Sequence, residues 1–558
     1  MGNTEDDSLK GNFPQAASGL DLSDAGNALP AKKGRKYHWS LYLLLSLSSG
    51  VLLSSGWLAP ALTPVIFFAW IPLFRLEQML DEEENRGRGR RFFGWAYLSM
   101  LSWNIISTWW IINSTLWGAI AAFVFNALFM TVPLVLYRRT RRSSGGLVGA
   151  MALVFYWLCF EYLHQNWDLS WSWLNLGHVF AFRIWDVQWY EFTGPLGGSL
   201  WILVINLLIF TAMRLPHNKW RYLGSAFALY VIPVLWSLSW SFSPDSKVGN
   251  ENDPTKHPVK IIVLQPNVDP YTAKFAGTPE FIPVEEQIRR FIELTEMRLT
   301  KDSCIVLWPE TAVDEVVSED NLTGNTLIVQ LQDFAAKHPT MTLITGLSTW
   351  KHYADKAHAT PSARFRDDLG YFDVFNSALS IQHGQPFQLY HKSMLVPGVE
   401  RLPYPKFFGL LTSLSIELGG ASGGLGYQDY RSVFKTGQGP IAPVICYESA
   451  YGDYLTGFIR NGAHMIGIIT NDGWWGNTPG HKHHWAYAKL RAIETRRYIA
   501  RSANTGISGY IDPSGIEMQM LEYLDVNVCN IGNAFSSCND CCMRRNASCR
   551  RHKSTNES

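Results

Sequence analysis

The sequence predicts a membrane-embedded α-helical bundle followed by a soluble α/β domain. Three observations predict it. Apolar runs near the ~20 residues that cross a bilayer follow one another as far as Phe242. A polar linker comes next, and then near-continuous apolar strands alternate with segments of helical periodicity. Charged residues are only 17% of the 558, while aromatics reach 14% with 23 Trp, so the chain falls below the usual charged quarter of a soluble protein.

The net charge of +1 gives no argument for a nucleic-acid partner. Of eight cysteines, five lie after residue 525, and Cys159, Cys304 and Cys446 are scattered singly. No disulfide framework is readable in the body of the chain.

Residues 1–36 are polar and read as a disordered N-terminus, with no signal peptide before the first apolar run. Residues 37–242 read as a transmembrane domain of about seven helices: Trp39–Trp57, Leu58–Leu76, Phe92–Ile112, Trp117–Tyr137, Leu147–Leu163, Gly197–Met213 and Tyr222–Phe242. Lys and Arg cluster at Lys32–Lys36, Arg86–Arg91, Arg138–Arg142 and Arg214–Arg221, in alternate connections. The positive-inside rule then puts the N-terminus in the cytoplasm, and seven crossings put everything after Phe242 outside. The connection Gln165–Leu196 lies on that outer side. Its WDLSWSWLNLGH stretch reads equally as a headgroup-interface segment or an ordinary amphipathic loop. Glu161, near a span end, reads as a snorkelling carboxylate.

Residues 243–257 form the linker, and 258–524 the soluble domain. Strands are expected at Val259–Gln265, Cys304–Trp308, Thr342–Gly346, Val374–Ile381, Ile441–Ile445, Met465–Thr470 and Ile507–Ile511. Helices are expected at Val284–Thr300 and Lys482–Ala500. No internal repeat and no glycine-rich phosphate loop is present.

Chemistry-bearing residues fall just past strands. Glu310 follows CIVLWP, Lys392 follows FQLYH, and Cys446 closes PVIC. A carboxylate, an ammonium and a thiol at strand ends can converge on one sheet edge. Together they supply a general base, an oxyanion stabiliser and an acyl-accepting nucleophile.

The order Glu, Lys, Cys within WPE, HKSMLVPG and CYE resembles the nitrilase, or carbon–nitrogen hydrolase, superfamily. The likeness runs from Val259 to Gly515 and includes TNDGWWG (Thr470–Gly476) and RAIETRR (Arg491–Arg497). The resemblance implies an αββα sandwich. With membrane spans in front, with LVPGVERLPY and CYES, and with QPNVDPYTAKF at Gln265–Phe275, the chain resembles the apolipoprotein N-acyltransferase branch. That resemblance implies Glu310 as base, Lys392 as oxyanion stabiliser and Cys446 as nucleophile. Glu400, Tyr447, Glu448, Phe275 and Trp474 are implied as supporting or substrate-binding residues. Phe275 stands about where many members have a tryptophan, and GVE replaces FGE. The branch implies a phospholipid acyl donor, an apolipoprotein acceptor, no metal and no cofactor. It also implies a monomer in a bacterial inner membrane with its catalytic domain on the periplasmic side.

Residues 525–558 depart from the branch pattern. They are polar and rich in cysteine, and a metal knuckle of Cys538, Cys541, Cys542 and Cys549 is weakly spaced. The expectation is a disordered tail in place of the family's last strands and final membrane helix, with no order after about residue 525. Two competing readings stay open on the sequence. One is a membrane-tethered amidase using the same three residues with water as acceptor. The other is an inactive membrane scaffold.

Overall fold

A computed structural model describes residues 36–83, 87–242, 259–401, 424–523 and 525–531. The expected N-terminal disorder and the linker 243–257 lie outside these residues.

The first half is a helical bundle: α1 Trp39–Leu58, α2 Ile71–Glu82, α3 Arg88–Thr108, α4 Leu116–Ser144, α5 Gly146–His164, α6 Tyr190–Arg214 and α7 Lys219–Phe242. Among the described residues, six helical stretches are long and apolar enough to cross a membrane: Trp39–Leu58, Pro60–Glu82, Leu116–Ser144, Gly146–His164, Tyr190–Arg214 and Pro216–Trp240. The remaining helix, α3, is 21 residues long, but Arg, Ser and Asn dilute it. It packs against α1 and α4. Small residues allow the close approach: a Cβ on Gly50 would lie 2.6 Å from the Ser102 Cβ. A polar chain ties α3 to its other neighbours. Asn126 Nδ2 donates to Asn104 Oδ1 at 2.6 Å, and His164 Nε2 lies 2.8 Å from Asn126 Oδ1.

The bundle has two unlike ends. At one, Arg138 and Arg141 of α4 pair with Glu77 and Asp81 of α2, with Arg138–Asp81 at 2.8 Å and Arg141–Glu77 at 2.6 Å. The other end carries the α/β domain. Glu161 is 2% exposed there and does not snorkel. It accepts from Trp157 Nε1 (2.9 Å), Leu176 N (2.8 Å) and Ser199 Oγ (2.6 Å). Three donors from separate segments satisfy the carboxylate inside the protein, so it has no need of the interface.

The α/β domain contains two sheets. Its strands are β1 Lys260–Gln265, β2 Cys304–Leu307, β3 Val313–Ser318, β4 Met341–Tyr353, β5 Arg364–Arg366, β6 Gly370–Gln382, β7 Gln388–His391, β8 Phe434–Thr436, β9 Gly439–Ile445, β10 Met465–Thr470, β11 Ile499–Ala503, β12 Ser508–Ile511, β13 Glu517–Leu521 and β14 Asn527–Ile531. The first sheet runs β14-β1-β2-β4-β6-β5, with β3 on β4 and β7 on β6. The second runs β13-β12-β11-β10-β9-β8. Among the described residues its helices are α8 Val284–Glu296, α9 Thr326–Lys337, α10 Gly452–Arg460 and α11 Pro479–Thr495.

Period-two alternation sets the layers. Ile261, Val263, Ile305 and Leu307 face the second sheet, where Leu307 lies over Gly467 and Ile441. Ile262, Leu264 and Val306 face α8 and α9, against Phe291 and Phe334. Gly467 keeps the sheets close, since a Cβ there would lie 3.4 Å from Leu307 of the facing sheet. The helix α11 is buried nearly all round because it packs against both the second sheet and α6 of the bundle.

Two further expectations are corrected. The predicted helix Lys482–Ala500 stops at Thr495, where Arg496 turns left-handed (φ 49, ψ 45), and residues 499–503 form β11. Arg496 is held by Glu191 Oε2 (2.8 Å) and Gln188 Oε1 (2.7 Å), contacts no local pattern encodes. Order does not end at about residue 525. Strand β14 closes the edge of β1 in antiparallel register, Ile261 against Ile531 and Gln265 against Asn527. An open β1 edge would leave backbone groups unpaired. Cys538, Cys541, Cys542 and Cys549 lie outside the described residues.

Candidate active site

Each of the three strand ends delivers its side chain. β2 runs into Trp308–Pro309 and presents Glu310, 6% exposed. The segment passes directly over Gly346 of β4, where a Cβ would lie 2.7 Å from Glu310 Cα and 2.6 Å from Thr311 N. β7 delivers Lys392, 1% exposed, whose backbone N donates to Asn376 O at 2.8 Å. β9 delivers Cys446, 8% exposed, in a left-handed conformation (φ 50) that a non-glycine residue adopts only when its surroundings hold it.

The charged groups converge. The Lys392 ammonium donates to Glu310 Oε1 at 3.1 Å and to Glu400 Oε1 at 2.8 Å. Asn376 Nδ2 bridges the same two oxygens, at 2.8 and 3.3 Å. Glu310 Oε2 accepts from the Asn471 backbone N at 3.1 Å. Glu400 Oε2 accepts from Val396 N at 2.8 Å, which ties it to the lysine loop. Burial alone would push the Lys392 ammonium down, but Glu310 and Glu400 beside it hold it well above the usual range. Burial, and then the Glu310 carboxylate, push the Cys446 thiol up, against the pull of Lys392. The sulfur is therefore a thiol at rest, next to a carboxylate able to take its proton.

Glu448, fully buried, joins the two turns. It accepts from Ile445 N (2.8 Å), Ser393 N (2.7 Å) and Tyr390 Oη (2.6 Å), and burial raises it to about 7. Tyr447 turns toward the membrane half, with its ring 5.8 Å from Trp173 and its hydroxyl donating to Ser170 O at 3.4 Å. Trp173, expected at a headgroup interface or in an ordinary loop, is 5% exposed and packs between the bundle and α11. Phe275 and Trp474 stack on each other at 5.7 Å. Each follows closely on a residue that touches Glu310. Lys274 Nζ lies 3.5 Å from Glu310 O, and Asn471 is the backbone donor already named.

Sequence reasoning missed several residues that shape the site. Asn376 lies inside β6 and reads as an ordinary strand residue. Asn471 stands in the sequence only as one polar residue of TNDGWWG. A third group grips the Cys446 backbone from behind. His484 Nε2 lies 3.1 Å from Cys446 O, His484 Nδ1 lies 2.9 Å from Asp472 Oδ1, and Asp472 pairs with Arg501 at 2.5 Å. Burial would raise the Asp472 carboxyl, but Arg501 and His484 hold it well below the usual carboxylate range.

Profiles of two protein families match the chain. "Apolipoprotein N-acyltransferase N-terminal domain" covers residues 49–208, and "Carbon-nitrogen hydrolase" covers 278–524. The apolipoprotein N-acyltransferase of Chlorobaculum tepidum is 30% identical over 484 residues, 84% of this chain and 86% of that one. That of Thermotoga maritima is 25% identical over 511 residues, 86% of this chain and 85% of that one. Saccharomyces cerevisiae Nit3, a nitrilase-superfamily member of solved structure, aligns at 14% identity and a TM-score of 0.35, over 53% of this chain and 97% of that one. With one such relative aligned along most of both chains, a helical bundle in front and a two-sheet α/β domain behind, the chain belongs to the apolipoprotein N-acyltransferase family.

Proposed function

We propose that this protein transfers an acyl chain from a membrane phospholipid, through a thioester on Cys446, to the N-terminal amine of a diacylglyceryl-cysteine apolipoprotein. The observation that carries the reading is the Lys392 ammonium held between Glu310 and Glu400, beside a cysteine at a strained strand-to-turn junction.

In the first half-reaction Glu310 takes the thiol proton as Cys446 Sγ attacks the ester carbonyl carbon. Lys392 stabilises the oxyanion. The C–O bond breaks, and Glu310 returns the proton to the leaving lysophospholipid oxygen. In the second, the neutral α-amine attacks the thioester, Glu310 accepts the amine proton, and the thiol is restored as the amide forms. Glu400 fixes Lys392, Glu448 fixes both turns, and Phe275, Trp474 and Tyr447 line the approach.

The basic clusters support a cytoplasmic N-terminus. With α3 taken as a seventh crossing, the catalytic domain lies on the periplasmic side of a bacterial inner membrane. Its docking on the bundle end away from Arg138 and Arg141 supports this placement. We take the working unit to be a monomer.

The test is incubation of the purified protein with phospholipid micelles carrying a labelled sn-1 acyl chain. The expected result is a hydroxylamine-sensitive adduct on Cys446, discharged by a diacylglyceryl-cysteine peptide. A Cys446→Ala protein that still transfers acyl groups overturns the mechanism.

A further inference from the structure

A cavity of about 310 Å³ opens where the ends of α5 and α6 meet the catalytic domain, and Cys446, Lys392 and Glu310 do not line it. That volume lies in the range of small-ligand pockets, about 300–1,000 Å³. Tyr162 (52% exposed) and Phe192 (70% exposed) lie on its bundle side. Asn175, Tyr451 and Arg431 lie deeper or on its domain side.

Two observations point to a ligand. Asn175 is 4% exposed and occupies the N-cap position of the turn 176–182, yet its side chain does not cap that turn. Its amide makes no hydrogen bond among the described residues and is open to the cavity. Arg431 is the second. Its guanidinium lies over the Tyr454 ring at 4.3 Å, its Nε is buried without a partner, and no carboxylate pairs with it among the described residues. The acids lining the cavity are already matched. Glu494 pairs with Arg491, Glu191 with Arg496 at 2.8 Å, and Asp453 with Arg460 at 3.8 Å. The uncompensated charge is therefore positive, and phosphate is, with carboxylate, one of the two anions whose geometry a guanidinium fork matches.

The cavity's bundle side is formed by span ends, and α5 continues away from it with exposed Phe155 and Leu163, each 64% exposed. A soluble phosphate ester would gain nothing from that apolar track. We propose that the cavity binds the phosphate-ester headgroup of a membrane phospholipid, with the phosphate on Arg431, the headgroup against Asn175 and an acyl chain along α5. This rests on the reading of α5 and α6 as membrane spans and not on acyl transfer.

The test uses full-length Cys446→Ala protein in nanodiscs of phosphatidylethanolamine bearing a headgroup diazirine, so that turnover plays no part. The expected adducts fall on the peptides that contain Asn175, Arg431 or residues 451–456. Arg431→Ala and Asn175→Leu should each lower that yield about tenfold, as expected for losing a hydrogen bond to a charged group. Arg366→Ala, a distant surface change, should leave it unaltered. Adducts elsewhere, or equal yields in all variants, overturn the proposal. Competition by excess glycerol 3-phosphate as effective as that by unlabelled lipid also overturns it, since the ligand is then a soluble phosphate ester. If a variant does not fold, the adduct map of the protein with only Cys446 replaced decides alone.

Discussion

Cys446 rests as a thiol because its burial and the Glu310 charge oppose ionisation more than Lys392 favours it. In the proposed mechanism base and nucleophile are thus coupled, and Glu310→Gln should separate two readouts. Acyl transfer should fall by about 10²–10⁴, the worth of a positioned general base. Iodoacetamide alkylation of Cys446 at a fixed, mildly alkaline pH should rise, because a neighbouring negative charge is gone. Two rates that fall together would make Glu310 structural only. Lys274 gives a pH signature. Burial lowers it from 10.5 to about 8, so in that window the unfolded chain holds the proton more tightly than the folded one. Stability should therefore rise between pH 8 and 10.5, and Lys274→Met should flatten the rise in thermal melts. A wild-type melt that does not shift across this range would contradict the assignment. At this scale Glu310, Lys392 and Cys446 were legible because each stands just past an apolar strand. Asn376 and His484 were not, since one sits inside a strand and the other inside a helix, and each matters through a partner distant in sequence.

Among the elements, β4 matters for what it lacks. Gly346 lets the Glu310 segment cross it, and Gly346→Ala places a methyl against backbone that has nowhere to move. The expected cost is about 1–3 kcal/mol of stability. Thioester formation should fall about 100-fold, as for small displacements of a catalytic group. Gly437→Ala, whose Cβ would meet only Gln382 Nε2 at 3.6 Å, is the control. Equal melting temperatures and equal thioester yields for the two variants would show that the crossing is not tight. The strands β1, β2, β9 and β10 were readable as apolar runs. β3, β5 and β13 were missed because they expose much of their surface and carry no such run. The first two residues of β11, Ile499 and Ala500, read as helix because the left-handed turn at Arg496 that ends α11 carries no local signal.

The two halves of the molecule meet through aromatic side chains. Trp173 packs on Trp110 at 5.0 Å, Trp475 at 5.4 Å and Tyr487 at 5.7 Å, while Trp57 Nε1 donates to Tyr487 Oη at 3.0 Å. Trp173→Ala should cost about 3–5 kcal/mol, as for a large core truncation. It should also slow acylation of Cys446, because Tyr447 loses the ring it rests on. Calorimetry and thioester yield check this, and an unchanged melt would show that the halves stabilise each other elsewhere. By itself the sequence determined the order of the chemistry, the apolar spans, the basic clusters and the strand ends that carry Glu310, Lys392 and Cys446. These depend on residue type and local period, which any short window displays. Only the tertiary structure decided that Glu161 is buried, that Trp173 binds the two halves, that α11 ends at Thr495 and that β14 closes β1. Each of these depends on partners far away in the chain, and local periodicity reports that a residue is buried without reporting what buries it.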